Sequence, residues 1–366
     1  MRELQITVLL AFSTILLPGV SAHALDAWRS VTTGSEPELA ANEIQFLKVT
    51  GRNLWIGTLS GLTRYRDGTF AAASKITGEK RRDPNTGEWK TVETTEKADL
   101  RICSILETGK DSFLVGAAGG LFRMQDLVLG DVALKGLTVA PVLPFDDDRL
   151  WALAKNDGTG LSRLYGNTAG EWKIVEAFED TALYDVVRTR DGRLWVLADG
   201  DGVFEVDPGE GEDKAVHHIA GFNVRTVMLD TQGRIWCGLW GRGAAAMDKD
   251  GTWQTHIEDE KSAVLAMVED DAGNIWAGTS SGGLYRFDGR EWNRKFVNEG
   301  AVSLLFADSR GRVWVSTQSR GGLRCYEKGT WRRSLDNRLP MTSMAEFDDA
   351  LWAGGVLDGI HVLKEE

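Results

Sequence analysis

The residues best suited to recognising a ligand lie close together around position 240. Trp240 and Arg242 flank a glycine, and an aromatic ring beside a guanidinium group is a common pair at binding sites. The segment that follows reads Ala244–Ala246, where a related segment has Leu284–Arg286. These small side chains leave space, which either Trp240 fills by folding back or a ligand occupies. Two further arginines are predicted to face the same site, so the candidate binding residues are Trp240, Arg242, Arg225 and Arg320.

Acidic residues in neighbouring segments rich in Asp and Gly are weak candidates for a metal site. Asp157, Asp199 and Asp201 could offer the hard oxygen ligands that Ca²⁺ prefers. Aspartate in such segments also forms tight turns without any ion, and this is the preferred interpretation. The sequence therefore predicts no metal and no cofactor.

Histidine and cysteine give little support for catalysis. Histidine is the commonest acid–base residue, but four of the five histidines are predicted to lie in strands and not in loops: His217, His218, His256 and His361. The cysteines are odd in number, so they cannot all be paired, and we expect them to stay free: Cys103, Cys237 and Cys325. No catalytic residue is predicted.

These candidates are carried by a repeated segment. The clearest copy is Asp270–Thr279, which continues through Gly282–Arg286 to Trp292. Its register recurs eight times, each copy centred on an aromatic pivot residue: Trp55, Phe113, Trp151, Trp195, Trp236, Trp276, Trp314 and Trp352. A period near forty residues with short apolar segments is typical of a β-propeller, and each copy predicts four strands. Of the 14 tryptophans, seven are pivots and six open predicted outer strands, which leaves Trp240 alone out of register.

We therefore predict an all-β fold, a β-propeller of eight four-stranded blades, with seven as the alternative if the copy at 111–123 is an irregular insert. The segment at Trp28 matches an outer strand with no repeat before it, and the copy at Trp352 lacks an outer strand. We expect the N-terminal strand to complete the last blade, because closure removes exposed sheet edges. The long interval between the first two pivots predicts an insertion in the first blade near 75–95, as a protruding hairpin or loop.

The pattern Asp-x-x-Gly-x-x-Trp-x-Gly-Thr-x-x-Gly-Gly-Leu-x-Arg, seen best at 270–288, resembles the two-component-regulator propeller repeat. This repeat is found in the sensory ectodomains of hybrid histidine kinases, so the resemblance implies a ligand-sensing propeller whose site lies where the central channel opens. Those receptors usually carry twice as many repeats and continue into a transmembrane helix and a kinase. This sequence ends at Glu366, so only the sensing or binding half of that role is expected here.

The first residues and the net charge indicate where the protein acts. An apolar run at 8–17 leads to Ala22–Ala24, which predicts a signal peptide over 1–24, cleaved after Ala24, and a single propeller domain over 25–366. An uncleaved membrane anchor is the alternative. The formal net charge of −12 argues against nucleic acid and anionic lipid as partners.

Two functions fit these observations. The first is a non-catalytic periplasmic or secreted module, monomeric, that binds a small molecule, a glycan or an envelope protein on the loop face of the propeller. The second is a propeller lyase or hydrolase that acts on a carbohydrate or small molecule with a pair of carboxylates. An aromatic-lined channel mouth without such a pair favours the first.

Overall fold

Nearly all of the regular secondary structure in the described residues is β-strand. The computed structural model describes residues 28–82, 89–146, 149–168, 170–208, 214–257, 262–296, 300–318, 323–335 and 339–364. The predicted signal peptide lies outside these residues. Within them the one helix is a short 3₁₀ turn at Glu176–Phe178. None of the described helices is long and apolar enough to cross a membrane.

The strands of the first half are β1 (Arg29–Val31), β2 (Ile44–Thr50), β3 (Asn53–Thr58), β4 (Gly61–Arg66), β5 (Thr69–Ala72), β6 (Ser74–Arg82), β7 (Trp89–Lys97), β8 (Ile102–Gly109), β9 (Ser112–Ala117), β10 (Gly120–Gln125), β11 (Val128–Ala133), β12 (Thr138–Pro144), β13 (Leu150–Lys155), β14 (Ser162–Thr168) and β15 (Glu171–Ile174). Those of the second half are β16 (Leu183–Arg188), β17 (Leu194–Ala198), β18 (Val203–Val206), β19 (Val216–His218), β20 (Val224–Leu229), β21 (Ile235–Leu239), β22 (Ala244–Met247), β23 (Trp253–His256), β24 (Val264–Glu269), β25 (Ile275–Thr279), β26 (Leu284–Phe287), β27 (Trp292–Phe296), β28 (Val302–Ala307), β29 (Val313–Thr317), β30 (Leu323–Glu327), β31 (Thr330–Leu335), β32 (Met341–Phe347), β33 (Ala350–Gly355) and β34 (Ile360–Lys364).

These strands form eight sheets, which we number in chain order. Sheet one is β2–β5, sheet two contains β8–β11, and sheets three to seven are β12–β15, β16–β19, β20–β23, β24–β27 and β28–β31. Sheet eight contains β32–β34. The first strands of neighbouring sheets contact one another, so these inner strands line the centre of the molecule. The fold is a β-propeller, as the repeat predicted.

The repeated aspartate does more than form a turn. In sheets five to seven its carboxylate accepts the indole N–H of the pivot tryptophan six residues later. The pairs are Asp230–Trp236, Asp270–Trp276 and Asp308–Trp314, at 2.9, 2.8 and 2.7 Å. This hydrogen bond pairs the indole N–H, the only donor that a tryptophan ring carries, while the rest of the ring is buried.

At four junctions, a tryptophan also joins one sheet to the next. The pivot ring of one sheet packs edge-on against an aromatic ring on the outer side of the following sheet. The ring pairs are Trp236–Trp292, Trp276–Trp331, Trp314–Trp28 and Trp352–Phe70, with centroids 5.7, 6.2, 5.9 and 6.3 Å apart. Because the last pair joins sheet eight to sheet one, the same contact runs through the junction of the two chain ends.

The glycine two residues after the pivot explains how closely the sheets approach. A Cβ atom on Gly278 would lie 2.4 Å from Cγ1 of Val302 in sheet seven. A Cβ atom on Gly354 would lie 2.5 Å from Cγ2 of Ile44 in sheet one. Both distances are too short for any side chain, so glycine at this position permits contact between sheets.

The N-terminal strand completes sheet eight, as predicted. Strand β1 pairs antiparallel with β34, with Arg29 opposite Val362 and Val31 opposite Ile360. Val31 is buried beside Leu39 in the cluster shared with sheet one.

The insertion differs from its prediction in where it attaches. Strands β6 and β7 form a long antiparallel hairpin, and β6 pairs in parallel with β11, with Ser74 opposite Val128. The hairpin therefore extends sheet two to six strands, whereas the length of the first repeat had placed it in the first blade. It pairs with the first two residues of β11, Val128 and Leu129, and so covers that part of the outer edge of the four strands β8–β11.

The three cysteines are free, as expected. Cys237 and Cys325 are buried, and Cys103 is half-buried. Burial raises the pKa of Cys325 to about 12, so its thiol stays protonated at neutral pH and reacts slowly.

Candidate functional site

One end of the propeller gathers the residues that the sequence singled out. Each inner strand begins beside the end of its pivot strand, as Val224 does opposite Leu239. The loops between second and third strands and the connections that enter the inner strands therefore lie together. We call this end the mouth face.

Every inner strand carries a β-bulge at its entry to the mouth face. The displaced residues are Gln45, Cys103, Ala140 with Pro141, Tyr184, Arg225, Leu265, Ser303 and Thr342. A bulge re-aims the side chain of the extra residue, so these residues ring the channel opening. Tyr184 and Arg225 are neighbours in this ring, on sheets four and five.

The guanidinium group of Arg225 contacts the rings of both Tyr184 and Trp240, and we call these three side chains the mouth stack. The guanidinium carbon of Arg225 lies 4.4 Å from the ring centre of Tyr184 and 4.7 Å from that of Trp240. Each cation–π contact at a partly exposed site contributes about 0.5–1 kcal/mol. Both rings remain accessible, with Tyr184 44% and Trp240 57% exposed. The stack thus presents aromatic surface and a positive charge to solvent.

Backbone contacts hold the stack in place. The Trp240 N–H donates to the carbonyl of Asn223 at 2.8 Å, and the Leu239 N–H donates to the carbonyl of Gly243 at 2.8 Å. The Asn223 side-chain amide donates to Asp199 on the loop of sheet four at 3.2 Å. Two loops and one inter-sheet connection therefore support the three stacked side chains.

The second arginine of the predicted pair lies on the same loop but contacts a different ring. The guanidinium carbon of Arg242 lies 5.1 Å from the ring centre of Phe222. Trp240 and Arg242 therefore do not stack on each other, and the arginine that stacks on the Trp240 ring is Arg225.

Two polar atoms of this site have no partner among the described residues. The Nε of Arg225 and the Oδ1 of Asn223 are buried, and no protein atom of the described residues hydrogen-bonds to either. Buried polar groups are normally paired, so these two atoms mark a place that protein alone does not satisfy.

The exposure of Trp240 excludes one of the two roles that the sequence left open for it. Trp240 does not fold back over Ala244–Ala246. These alanines are buried by other residues: Ala244 packs with Val264 of sheet six, and Ala246 packs with the Trp236 ring. The interpretation that Trp240 folds back to fill the space beside Ala244–Ala246 is therefore wrong.

The remaining predicted residues are distributed as follows. Arg320 lies outside the described residues. The carboxylate of Asp157 accepts a hydrogen bond from Thr138 at 2.7 Å, and the backbone carbonyl of Asp201 lies 2.7 Å from Nε2 of His217. In the part of the chain that the structure describes, no three His, Cys, Asp or Glu side chains are placed to hold a metal ion.

The four histidines among the described residues lie in strands, as the repeat predicted. Nε2 of His218 lies 2.9 Å from the carboxylate of Glu205, and the ring of His217 stacks on Phe204. His256 packs against aromatic rings of sheets five and six, and His361 hydrogen-bonds to Asp358. These contacts are structural.

Sequence reasoning missed Tyr184 and Asn223. Tyr184 belongs to an inner strand, whereas the search for binding residues followed the loops after the pivots. The first two residues of each inner strand could have revealed it, because in sheets four and five they read Leu183-Tyr184 and Val224-Arg225. Next to Tyr184, Asp185 lies in a half-buried position, and burial raises its pKa.

Comparison with known proteins identifies the fold but not the family. No protein-family model and no curated protein match the chain. Among solved structures, the computationally designed protein Ika8 matches with a TM-score of 0.59 at 12% identity, over 88% of this chain and 96% of Ika8. The protein YCF48 bound to D1 peptide matches with a TM-score of 0.54 at 14% identity, over 95% of this chain and 100% of YCF48.

A third likeness is to an extracellular domain from B. thetaiotaomicron, described as part of the hybrid two-component system BT4673. It has a TM-score of 0.53 at 14% identity, over 90% of this chain and 51% of that domain. The chain therefore spans about half the length of the BT4673 domain. These likenesses establish a β-propeller.

Proposed function

We propose that this protein is a non-catalytic binding module that recognises its ligand or partner on the mouth face, at the stack of Tyr184, Arg225 and Trp240. The observation that carries the proposal is the exposure of Trp240, which is 57% accessible although it is held from below by a backbone hydrogen bond and a cation–π contact. A large ring held rigid in solvent suits binding, because little conformational entropy is lost when a partner covers it.

The distribution of other apolar side chains supports this face. Nine large apolar side chains are exposed among the described residues. Five of them lie on the mouth face: Leu59, Leu161, Tyr184, Trp240 and Leu357. Exposed apolar surface gathered on one face is typical of an interaction site.

Two structural neighbours support the same role. The BT4673 match is an extracellular domain of a two-component system, and YCF48 is bound to a peptide. We extend these roles to the present chain as a sensing or protein-interaction function. With them goes a periplasmic or secreted location, which requires cleavage after Ala24.

A lyase or hydrolase is less favoured. That chemistry calls for paired carboxylates or a histidine at the mouth. Asp199, the acidic residue that is hydrogen-bonded into the site, contacts the amide of Asn223 and is not held against a second carboxyl group among the described residues. An aromatic and cationic site without such a pair suits binding.

We further propose that each of the eight sheets acts as one blade, in preference to seven blades with 111–123 as an insert. The pairing of β9 with both β8 and β10 in one sheet and the contact of Gly354 with Ile44 support eight. An experimental map of the molecule viewed down its channel would count the blades directly, and a seven-fold ring would contradict this proposal.

A binding screen with two variants tests the function. Wild-type protein, Trp240→Ala and Val216→Ala are each titrated against a defined panel of oligosaccharides, organic acids and short peptides. Val216 is a matched control, since it is 52% exposed on an outer strand. We expect Trp240→Ala to weaken the wild-type hits by about 2 kcal/mol, roughly thirtyfold, with little change in thermal stability. Hits that survive Trp240→Ala unchanged would refute the mouth site.

A further inference from the structure

The stacking of Arg225 restricts how it can meet a ligand. Tyr184 covers one side of the guanidinium group and Trp240 lies against it as well, with both ring centres within 4.7 Å of its central carbon. The N–H donors of arginine lie in the guanidinium plane. A ligand therefore reaches them along the edge of the group, between the two rings.

The donors at this edge are unused by the protein. Within the described residues, no carboxylate or carbonyl pairs with Arg225, and its buried Nε has no acceptor. The two terminal Nη groups are not buried in this way and pair with no acceptor among the described residues, so they are the donors that a ligand can reach.

A carboxylate fits this edge better than a phosphate. A carboxylate is planar, and its two oxygens match two parallel guanidinium N–H groups. The tetrahedral oxygens of a phosphate would project out of the plane toward the rings. Asp199 and Asp201 on the neighbouring loop also oppose a doubly charged group, whereas Arg242 on the Trp240 loop can balance a single charge.

The groups around the edge define what the carboxylate is attached to. Oδ1 of Asn223, two residues before Arg225, is a buried acceptor without a protein partner. This atom is covered in the free protein, so an N–H or O–H beside the carboxylate pairs with it after a local shift that uncovers it. The exposed surface of Trp240 suits an apolar group on the same molecule.

We propose that the mouth site binds a carboxylate that carries a neighbouring hydrogen-bond donor and an apolar side group, with Arg225 as the residue that holds the carboxylate. A peptide ending in a free apolar residue and a small acylated amino acid both have this chemistry. The inference rests on the proposed function, since it names the ligand class for the same site.

The test compares acids with their neutral amides. The small probes are N-acetylphenylalanine and N-acetylphenylalanine amide, and the peptide probes are one short peptide ending in phenylalanine with a free or an amidated C-terminus. Affinities come from calorimetry or ligand-observed NMR at low salt. We expect each acid to bind at least about tenfold more tightly than its amide, because the amide lacks the second acceptor and the charge. Tighter binding by the peptide pair than by the small pair would identify a peptide as the source.

Variants connect the acid preference to Arg225. Arg225→Lys keeps the charge but loses the planar fork, so we expect it to abolish most of the preference for acid over amide. Arg286→Lys is the matched control, because Arg286 also stacks on a tryptophan at 5.7 Å and has a buried unpaired Nε, but lies on a third strand. Thermal unfolding verifies that both variants fold.

Two outcomes would overturn the inference. Equal binding of acid and amide that is lost in Trp240→Ala would reject the carboxylate and leave the mouth as a binding site. Failure of every acid to bind up to its solubility limit would reject the carboxylate class, while the panel screen would still decide the binding function on its own.

Discussion

At the scale of single residues, the aspartate of the repeat is a buried charged group that depends on buried hydrogen-bond donors. Asp308 is 1% exposed. Its carboxylate accepts hydrogen bonds from Nε of Arg312 at 2.5 Å and from the indole of Trp314 at 2.7 Å. Because these donors are buried too, the aspartate is a structural centre of its sheet and not a turn former alone.

We expect Asp308→Ala to lower the free energy of unfolding by roughly 3–5 kcal/mol, because it removes the acceptor of a buried ion pair and of a buried indole. Asp288→Ala is the control, since that carboxylate lies in an exposed turn and accepts only backbone N–H groups. Urea unfolding of the two variants measures the difference. Equal losses would show that the buried contacts contribute little.

His256 makes stability depend on pH. Burial lowers its pKa below the ordinary value of 6.5, Arg234 adds to this, and Asp248 opposes it. The unfolded chain therefore binds the proton more readily than the folded chain does. Protonation of the unfolded chain therefore destabilises the fold. This loss of stability is absent above pH 6.5 and grows as the pH falls through the pKa of His256 in the unfolded chain toward its lower pKa in the folded chain.

We accordingly expect the free energy of unfolding of the wild type to fall as the pH is lowered from about 7.5 to 5. The free energy of unfolding of the His256→Phe variant should fall less over that range. Urea titrations of both proteins at the two pH values provide the comparison. If the variant shows the same pH dependence as the wild type, other groups are responsible.

At the scale of elements, the glycine that lies two residues after four of the eight pivots sets how closely neighbouring sheets approach. Gly278→Ala would place a methyl group against Val302 of the next sheet, so the two sheets must separate slightly. We expect a loss of about 1–3 kcal/mol in the free energy of unfolding, typical of overpacking. Gly109→Ala is the control, because its new Cβ would meet nothing closer than 3.9 Å. A Gly278→Ala variant as stable as wild type would contradict this account.

The sequence predicted elements well where the repeat is regular and less well where it is interrupted. The Asp-to-Trp spacing located the pivot strands because one local hydrogen bond determines it. The parallel pairing of β6 with β11 left no comparable pattern, since Ser74 and Val128 are far apart in the chain. Tyr184 was not predicted for a related reason. Its exposure depends on a β-bulge, which is a property of two paired strands, and the sequence of one strand alone does not reveal a bulge.

At the scale of the whole molecule, stability depends on joining the two ends of the chain. Val31 is 2% exposed and belongs to the cluster that joins sheets eight and one. We expect Val31→Asp to open this junction and to cost roughly 3 kcal/mol or more, because it buries an unpaired charge. Limited proteolysis should then cleave the N-terminal segment early.

Val216→Asp is the control for this variant, because Val216 lies exposed on an outer strand. It should leave both the thermal transition and the cleavage pattern close to those of the wild type. A Val31→Asp protein that resists protease as well as the wild type would show that β1 is dispensable for closure.

The pairing of β1 with β34 also has a consequence for how the protein is made. Ser30 hydrogen-bonds to His361 across 331 positions of sequence, so the first strand leaves the ribosome long before its partner has been synthesised. Until then, β1 has no sheet to join, because β32–β34 have not yet been made, and sheet one has no neighbour to pack against on that side. The nascent chain therefore carries an unpaired strand through nearly all of its translation, and a chaperone that shields residues 29–31 during this interval would prevent pairing between growing chains.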